Sequence, residues 1–287
     1  MDALQNEAVK KRVKQVNDYV KRVRKVTKPY LPMITRVLII ATFVEDGIRV
    51  LLDIKPQANF LTYQYSLPFA LSVMLIASTT LVSLAASAAI CSRKPKLELY
   101  GCYAQLGYVF YQQVLYGRHS PIGSGNFGFL MRNLCLAGTL LMLIVQNRLS
   151  EGHTALPGIP DPGDKSTTMT YIQLGARALL VLLSLEFLSN AGAFATLVTI
   201  PVLLAVLLGF QTQISGTVLL IMYFLHNVSN SAFWAIKSDS QRNSFDREVK
   251  RYEFVQTLSI MGGLMLLIST GPGQLSVDSK MGRQKNF

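Results

Sequence analysis

Apolar residues recur along this chain in runs of about twenty, separated by short polar segments. The runs fall near 33–53, 67–91, 97–116, 127–147, 171–190, 193–210, 213–236 and 252–270. A helix needs roughly 20 such residues to cross a bilayer. The pattern predicts an all-α polytopic membrane bundle of about eight transmembrane helices. The runs at 67–91, 127–147 and 193–210 are the clearest. Two are mixed: Glu98, Gln105, Gln112 and Gln113 interrupt the third, and Arg36, Glu45, Asp46 and Arg49 lie in the first. A hydropathy window alone would return six or seven spans.

A repeat bears on the count. Residues 35–45 read TRVLIIATFVE and residues 176–186 read ARALLVLLSLE, so Arg36 aligns with Arg177 and Glu45 with Glu186. NLCLAGTLLMLI (133–144) aligns with TLSIMGGLMLLI (257–268), and Gly138 falls on Gly262. The two matches keep the same order, which predicts a duplicated four-helix unit. Four helices per unit leave both copies in one orientation. The expected organisation is a tail (1–32), a first half (33–147), a cytosolic linker (148–170), a second half (171–270) and a cytosolic C-terminal tail (271–287).

Charge fixes the orientation. The chain has 287 residues, half of them hydrophobic and 15% charged, and its mean hydropathy is +0.33. Lys and Arg exceed Asp and Glu by 28 − 16 = +12, and residues 1–32 carry 9 − 3 = +6 of that excess. The positive-inside rule then places the tail, and with it both termini, in the cytosol. Arg93, Lys94 and Lys96 fall on the cytosolic side, and the loop 54–66, with only Lys55, falls outside. The basic loop 237–251 disagrees, because alternation puts it on the lumenal side. Val9, Val13, Val16, Val20 and Val23 alternate by four and three, which predicts a basic amphipathic helix on anionic lipid or a solvated arm. No cleaved signal peptide is expected. Nucleic-acid binding is not expected either, since the cations gather in one tail beside a membrane bundle.

Charges inside a bilayer need partners, at about 2.5–3.5 kcal/mol each on insertion scales. Glu45 and Arg49 are four apart in the favoured helical order. Arg36 is expected to reach Glu186 or the headgroups, and Arg177 to reach Glu45 or Asp46. On one reading Glu45, Asp46, Arg49, Arg132 and Glu186 line a polar cavity that holds a ligand. On the other, such groups are structural ion pairs that lock the halves together. Catalytic and cofactor signals are missing: His119, His153 and His226 lack ligand spacing, and there is no nucleophile elbow, P-loop or dinucleotide fingerprint. No metal, cofactor or enzymatic activity is expected.

Several segments carry a resemblance. YLP (30–32), ATFVEDGIRVLLD (41–53), FLMRNLCLAGTLLMLI (129–144), YIQLGARALLVL (171–182), SAFWAI (231–236) and YEFVQTLSIMGGLMLL…TGPGQLSVD (252–278) resemble the surfeit locus protein 4 family of cargo receptors. The resemblance runs from about Pro29 to the C-terminus. It implies a multi-pass receptor that binds the N-termini of soluble secretory proteins in the endoplasmic reticulum lumen. Such a receptor loads cargo into COPII vesicles, cycles through the intermediate compartment and Golgi, and returns in COPI vesicles through a C-terminal lysine signal. Arg283 and Lys285 stand where that signal would be, although Gln284 replaces a family lysine. The implied partners are cargo, both coats and membrane lipids, and a homo-oligomer is allowed. Glu45, Asp46 and Arg49 become the expected polar floor of a lumenal groove, holding a cargo ammonium. Two further classes stay open: a small-molecule or ion transporter using the intramembrane carboxylates, and a membrane-bound redox component.

Overall fold

A computed structural model describes residues 30–92, 94–116, 126–152, 163–182, 193–237, 240–271 and 273–284. The valine-striped tail, Glu186, Lys285, the side chain of Arg283 and most of the loop 117–128 lie outside the described residues. Among the described residues every regular element is helical. The helices are α1 (Leu31–Leu52), α2 (Lys55–Tyr65), α3 (Phe69–Cys91), α4 (Pro95–Tyr116), α5 (Asn126–Gly152), α6 (Gly163–Val181), α7 (Ala193–Leu208), α8 (Thr212–Asn230), α9 (Gln241–Thr270) and α10 (Val277–Gln284), with a 3-10 turn at Phe233–Ala235 before α9.

Three described helices are long and apolar enough to cross a membrane: Phe69–Cys91, Phe127–Leu149 and Gln241–Thr270. The first two coincide with the clearest apolar runs. The third does not, because the run at 193–210 makes only a short apolar helix, Thr196–Leu208. Two expected loops are helical. Residues 55–65 form α2, which buries Ala58 and Leu61 beside Val50 and Ile76. The basic segment 237–251 is mostly the first turns of α9. Ser240 caps that helix by accepting from the Asn243 N–H at 3.2 Å. Phe245, Val249, Tyr252 and Gln256 follow at spacings of four, three and four, a helical stripe that charged neighbours obscure.

The order of packing repeats along the chain. Helix α3 packs on α1 and α4, and α4 on α5; likewise α7 packs on α6 and α8, and α8 on α9. Between these sets α5 packs on α6 and α9 on α1, and α5 and α9 also meet. The core runs through the middle, with Ile39, Phe43, Leu136, Leu140, Leu180, Leu219, Ile260 and Leu264 all buried.

Two aligned glycines each let a neighbouring helix backbone come close. A Cβ on Gly138 would lie 2.6 Å from Leu179 Cβ and 3.0 Å from the Ala176 carbonyl. A Cβ on Gly262 would lie 3.0 Å from Leu38 Cβ and 3.1 Å from the Ile39 nitrogen. Leu38 aligns with Leu179 in the repeat, as Gly262 does with Gly138. A polar contact repeats in the same register: Ser259 Oγ donates to the Leu38 carbonyl at 2.8 Å, and Cys135 Sγ donates to the Leu179 carbonyl at 3.1 Å. Gly138→Ala and Gly262→Ala are expected to destabilise by about 1–3 kcal/mol through overpacking against backbone. Gly107→Ala and Gly175→Ala, with no atom within 4 Å of the added carbon, are expected to gain about 0.5–1 kcal/mol from helix propensity. Thermal unfolding in detergent measures both signs.

The C-terminal segment is tied to the body. Gly271 and Gly273 adopt φ of 85° and 77°, a region glycine enters freely. The Gly271 carbonyl accepts from Gln173 Nε2 at 2.8 Å, and the Leu275 carbonyl accepts from Arg177 at 2.7 Å. Asp278 accepts from the backbone N–H groups of Gln211 and Thr212 at 2.7 and 3.0 Å, capping the start of α8. Asp278→Ala should cost about 1–2 kcal/mol, as loss of a charge-assisted cap does. Hydrogen exchange at the first turn of α8 should accelerate.

Candidate ligand cavity at one end of the bundle

Helices α1 and α9 run antiparallel. Leu38 and Ile39 face Gly262, and Glu45 faces Arg251. The last residues of α1 therefore meet the first turns of α9, far from the start of α1 and the end of α9. At that end lies a cavity of about 470 Å³, within the range of small-ligand sites. Asp46, Arg49 and Val50 enter it from α1, and Pro56, Gln57 and Phe60 from α2. Ile76, Thr79 and Thr80 come from α3, and Tyr108, Tyr111, Gln112 and Tyr116 from α4. Phe129 of α5 and Phe245, Glu248, Val249 and Tyr252 of α9 complete the wall.

The polar floor is built on Asp46, which is 4% exposed. Tyr108 Oη and Gln112 Nε2 each donate to its Oδ2 at 2.8 Å. Its Oδ1 pairs with the Arg49 guanidinium, one turn further along α1. Tyr108 is braced by Phe43 edge-on, centroids 6.3 Å apart, and by Tyr111 in a stack at 6.2 Å. Phe60 stacks on Tyr116 at 5.3 Å, and Tyr65 Oη donates to the Leu115 carbonyl at 2.7 Å. These contacts fasten α2 over the cavity.

Of the expected site residues, Asp46 and Arg49 line the cavity. Glu45 and Arg132 do not. Glu45 pairs with Arg251 at 3.0 Å. Arg132 donates to the Glu253 carbonyl and Thr257 Oγ1, each at 3.4 Å. Both brace α9 from outside the cavity. Arg49 thus pairs with Asp46 rather than Glu45, because Arg251 takes Glu45.

Arg36 also departs from expectation. Among the described residues it forks onto Glu98, a partner the sequence reading did not name, with Nε–Oε1 and Nη2–Oε2 both 3.0 Å. Arg177 donates to the Leu275 carbonyl instead of reaching Glu45 or Asp46. It lies where α9 ends, and 19 residues of helix separate Tyr252 of the cavity wall from Gly271, about 28 Å. Among the described residues no three His, Cys, Asp or Glu gather where a metal could bind.

Sequence reasoning passed over Tyr108, Gln112, Glu248 and Tyr252. A signal for the α4 residues was present. Glu98, Gln105 and Gln112 are seven apart, two turns, and so share one face. Each bonds a neighbouring helix: Glu98 to Arg36, Gln105 to the Ser83 carbonyl at 2.8 Å, and Gln112 to Asp46.

The chain matches the SURF4 family over residues 10–284, which takes in part of the basic tail. It is 30% identical over 257 residues to the ER-derived vesicles protein ERV29 of Saccharomyces cerevisiae, covering 88% of this chain and 77% of that protein. It is 28% identical over 270 residues to the Surfeit locus protein 4 homolog of Drosophila melanogaster, covering 93% and 95%. To the homolog of the same name in Schizosaccharomyces pombe it is 28% identical over 259 residues, covering 88% and 82%. No solved structure matches. With a match of that breadth, on a chain whose described regular elements are all helical, the chain belongs to the SURF4 family.

Proposed function

We propose that this protein is a cargo receptor of the early secretory pathway. It binds soluble secretory proteins in the endoplasmic reticulum lumen, enters COPII vesicles with them, and returns from the Golgi in COPI vesicles through Arg283 and Lys285. The bundle crosses the membrane eight times as two similar four-helix halves. The matched packing of Gly138 on Leu179 and of Gly262 on Leu38 supports that division. Both termini face the cytosol.

One observation carries the reading: the aromatic cavity with its polar floor lies at the end opposite the start of α1 and the end of α9. With cytosolic termini that end faces the lumen, where cargo is. The occupant is an extended N-terminal segment of the cargo, its apolar side chains among the rings and its backbone near Arg49. Glu45 and Arg132 act on the site through α9, and Glu186 is the residue that aligns with Glu45 in the sequence.

A secretion profile of cells with and without the protein tests the reading. A defined set of soluble proteins should stall in the endoplasmic reticulum and share an N-terminal character. Unchanged secretion would overturn it.

A further inference from the structure

The charged residues lining the cavity are Asp46, Arg49 and Glu248. Asp46 and Arg49 neutralise one another, and Asp46 already accepts from Arg49, Tyr108 and Gln112. A carboxylate offers about four acceptor positions, so Asp46, buried, has little left for a ligand. Glu248 is the other carboxylate on the wall. It is exposed and makes no ion pair among the described residues. Phe245 and Tyr252, three residues before it and four after, share its side of α9, and Phe60 and Tyr116 share its cavity. A carboxylate without an ion pair, set among aromatic rings, favours a cation, which gains from the carboxylate and from the ring faces together. Arg49 is 30% exposed and keeps donors for a carbonyl.

Resting on the receptor reading above, we infer that Glu248 holds the N-terminal ammonium of the cargo and that Asp46 is a positioning residue. Asp46 fixes Arg49, and Arg49 donates to a carbonyl of the cargo backbone. The first apolar side chain of the cargo lies among the rings beside Glu248. A free amino terminus, and not only apolar character, is then a condition of recognition.

The test uses the full-length receptor in nanodiscs and an octapeptide beginning Leu-Leu-Leu, fluorescent at its C-terminus, with a free or an acetylated N-terminus. Acetylation should weaken binding to the wild type about tenfold, near 1.4 kcal/mol. Glu248→Gln should weaken the free peptide by the same factor and bind both peptides alike. Glu248→Asp, which keeps the charge, should still discriminate. Equal binding of the two peptides by the wild type would overturn the inference and leave the receptor reading standing. So would a Glu248→Gln receptor that still discriminates, since the ammonium would then lie on another carboxylate. Hexylammonium bound as tightly as the peptide would assign the site to small amines and overturn both. A wild type that binds neither peptide would overturn the receptor reading itself.

Discussion

An Asp46→Leu receptor is expected to lose about 3 kcal/mol of stability, the lower end for removing one partner of a buried pair, and to export cargo at least tenfold more slowly. The substitution leaves Arg49 without its carboxylate, and Tyr108 Oη and Gln112 Nε2 without the acceptor they share at 2.8 Å. Three donors would then face one another across the cavity floor. Arg49 can turn toward water because it is partly exposed, which keeps the loss from being larger. The double variant Asp46→Leu/Arg49→Leu should be more stable than Asp46→Leu alone, since removing both charges removes the unpaired ion. Export should stay low in both, because the polar floor is absent from both. Thermal unfolding in detergent and the release rate of a secreted reporter separate the two effects. Glu45→Gln provides the contrast. Its partner Arg251 is half-exposed, and pairs of that kind contribute about 1 kcal/mol or less.

The second large effect is expected at the other end of α1. Glu98→Leu removes a nearly buried carboxylate that receives two hydrogen bonds from Arg36. It should destabilise by about 3 kcal/mol, again at the lower end because Arg36 is 16% exposed and keeps the Pro32 carbonyl as acceptor. Glu98→Gln should lose less, since an amide still accepts one bond of the fork. Arg36→Lys should lose the two-point geometry although it keeps the charge. The contact lies far from the cavity, so cargo affinity per folded receptor should not change. Peptide binding scaled to the folded fraction checks that separation.

The sequence made the helices readable where periodicity and hydropathy agreed, as at Phe69–Cys91 and Phe127–Leu149. Gly138 and Gly262, which the two matching segments align, make equivalent contacts. Partner choice was not readable. Spacing paired Glu45 with Arg49, but pairing is decided by what other helices bring, here Arg251 to Glu45 and Tyr108 with Gln112 to Asp46. The polar residues of α4 looked like interruptions of a span because hydropathy averages over all faces of a helix. Their seven-residue spacing put them on the one face that meets α1 and α3. The first turns of α9 read as a loop for a related reason: Arg242, Arg247, Lys250 and Arg251 outweigh Phe245, Val249 and Tyr252 in any average, yet the latter three line the cavity.

Site-specific photocrosslinking tests the central claim, that cargo enters this cavity, most directly. A benzophenone side chain placed at Phe245 or Tyr116, both on the cavity wall, should capture newly made cargo through the cargo's N-terminal residues. The same group at Phe110 or Leu204, which are exposed on α4 and α7 outside the cavity, should not. Capture from Phe110 or Leu204 with none from Phe245 and Tyr116 would contradict the account and move the receptor's binding surface away from the cavity.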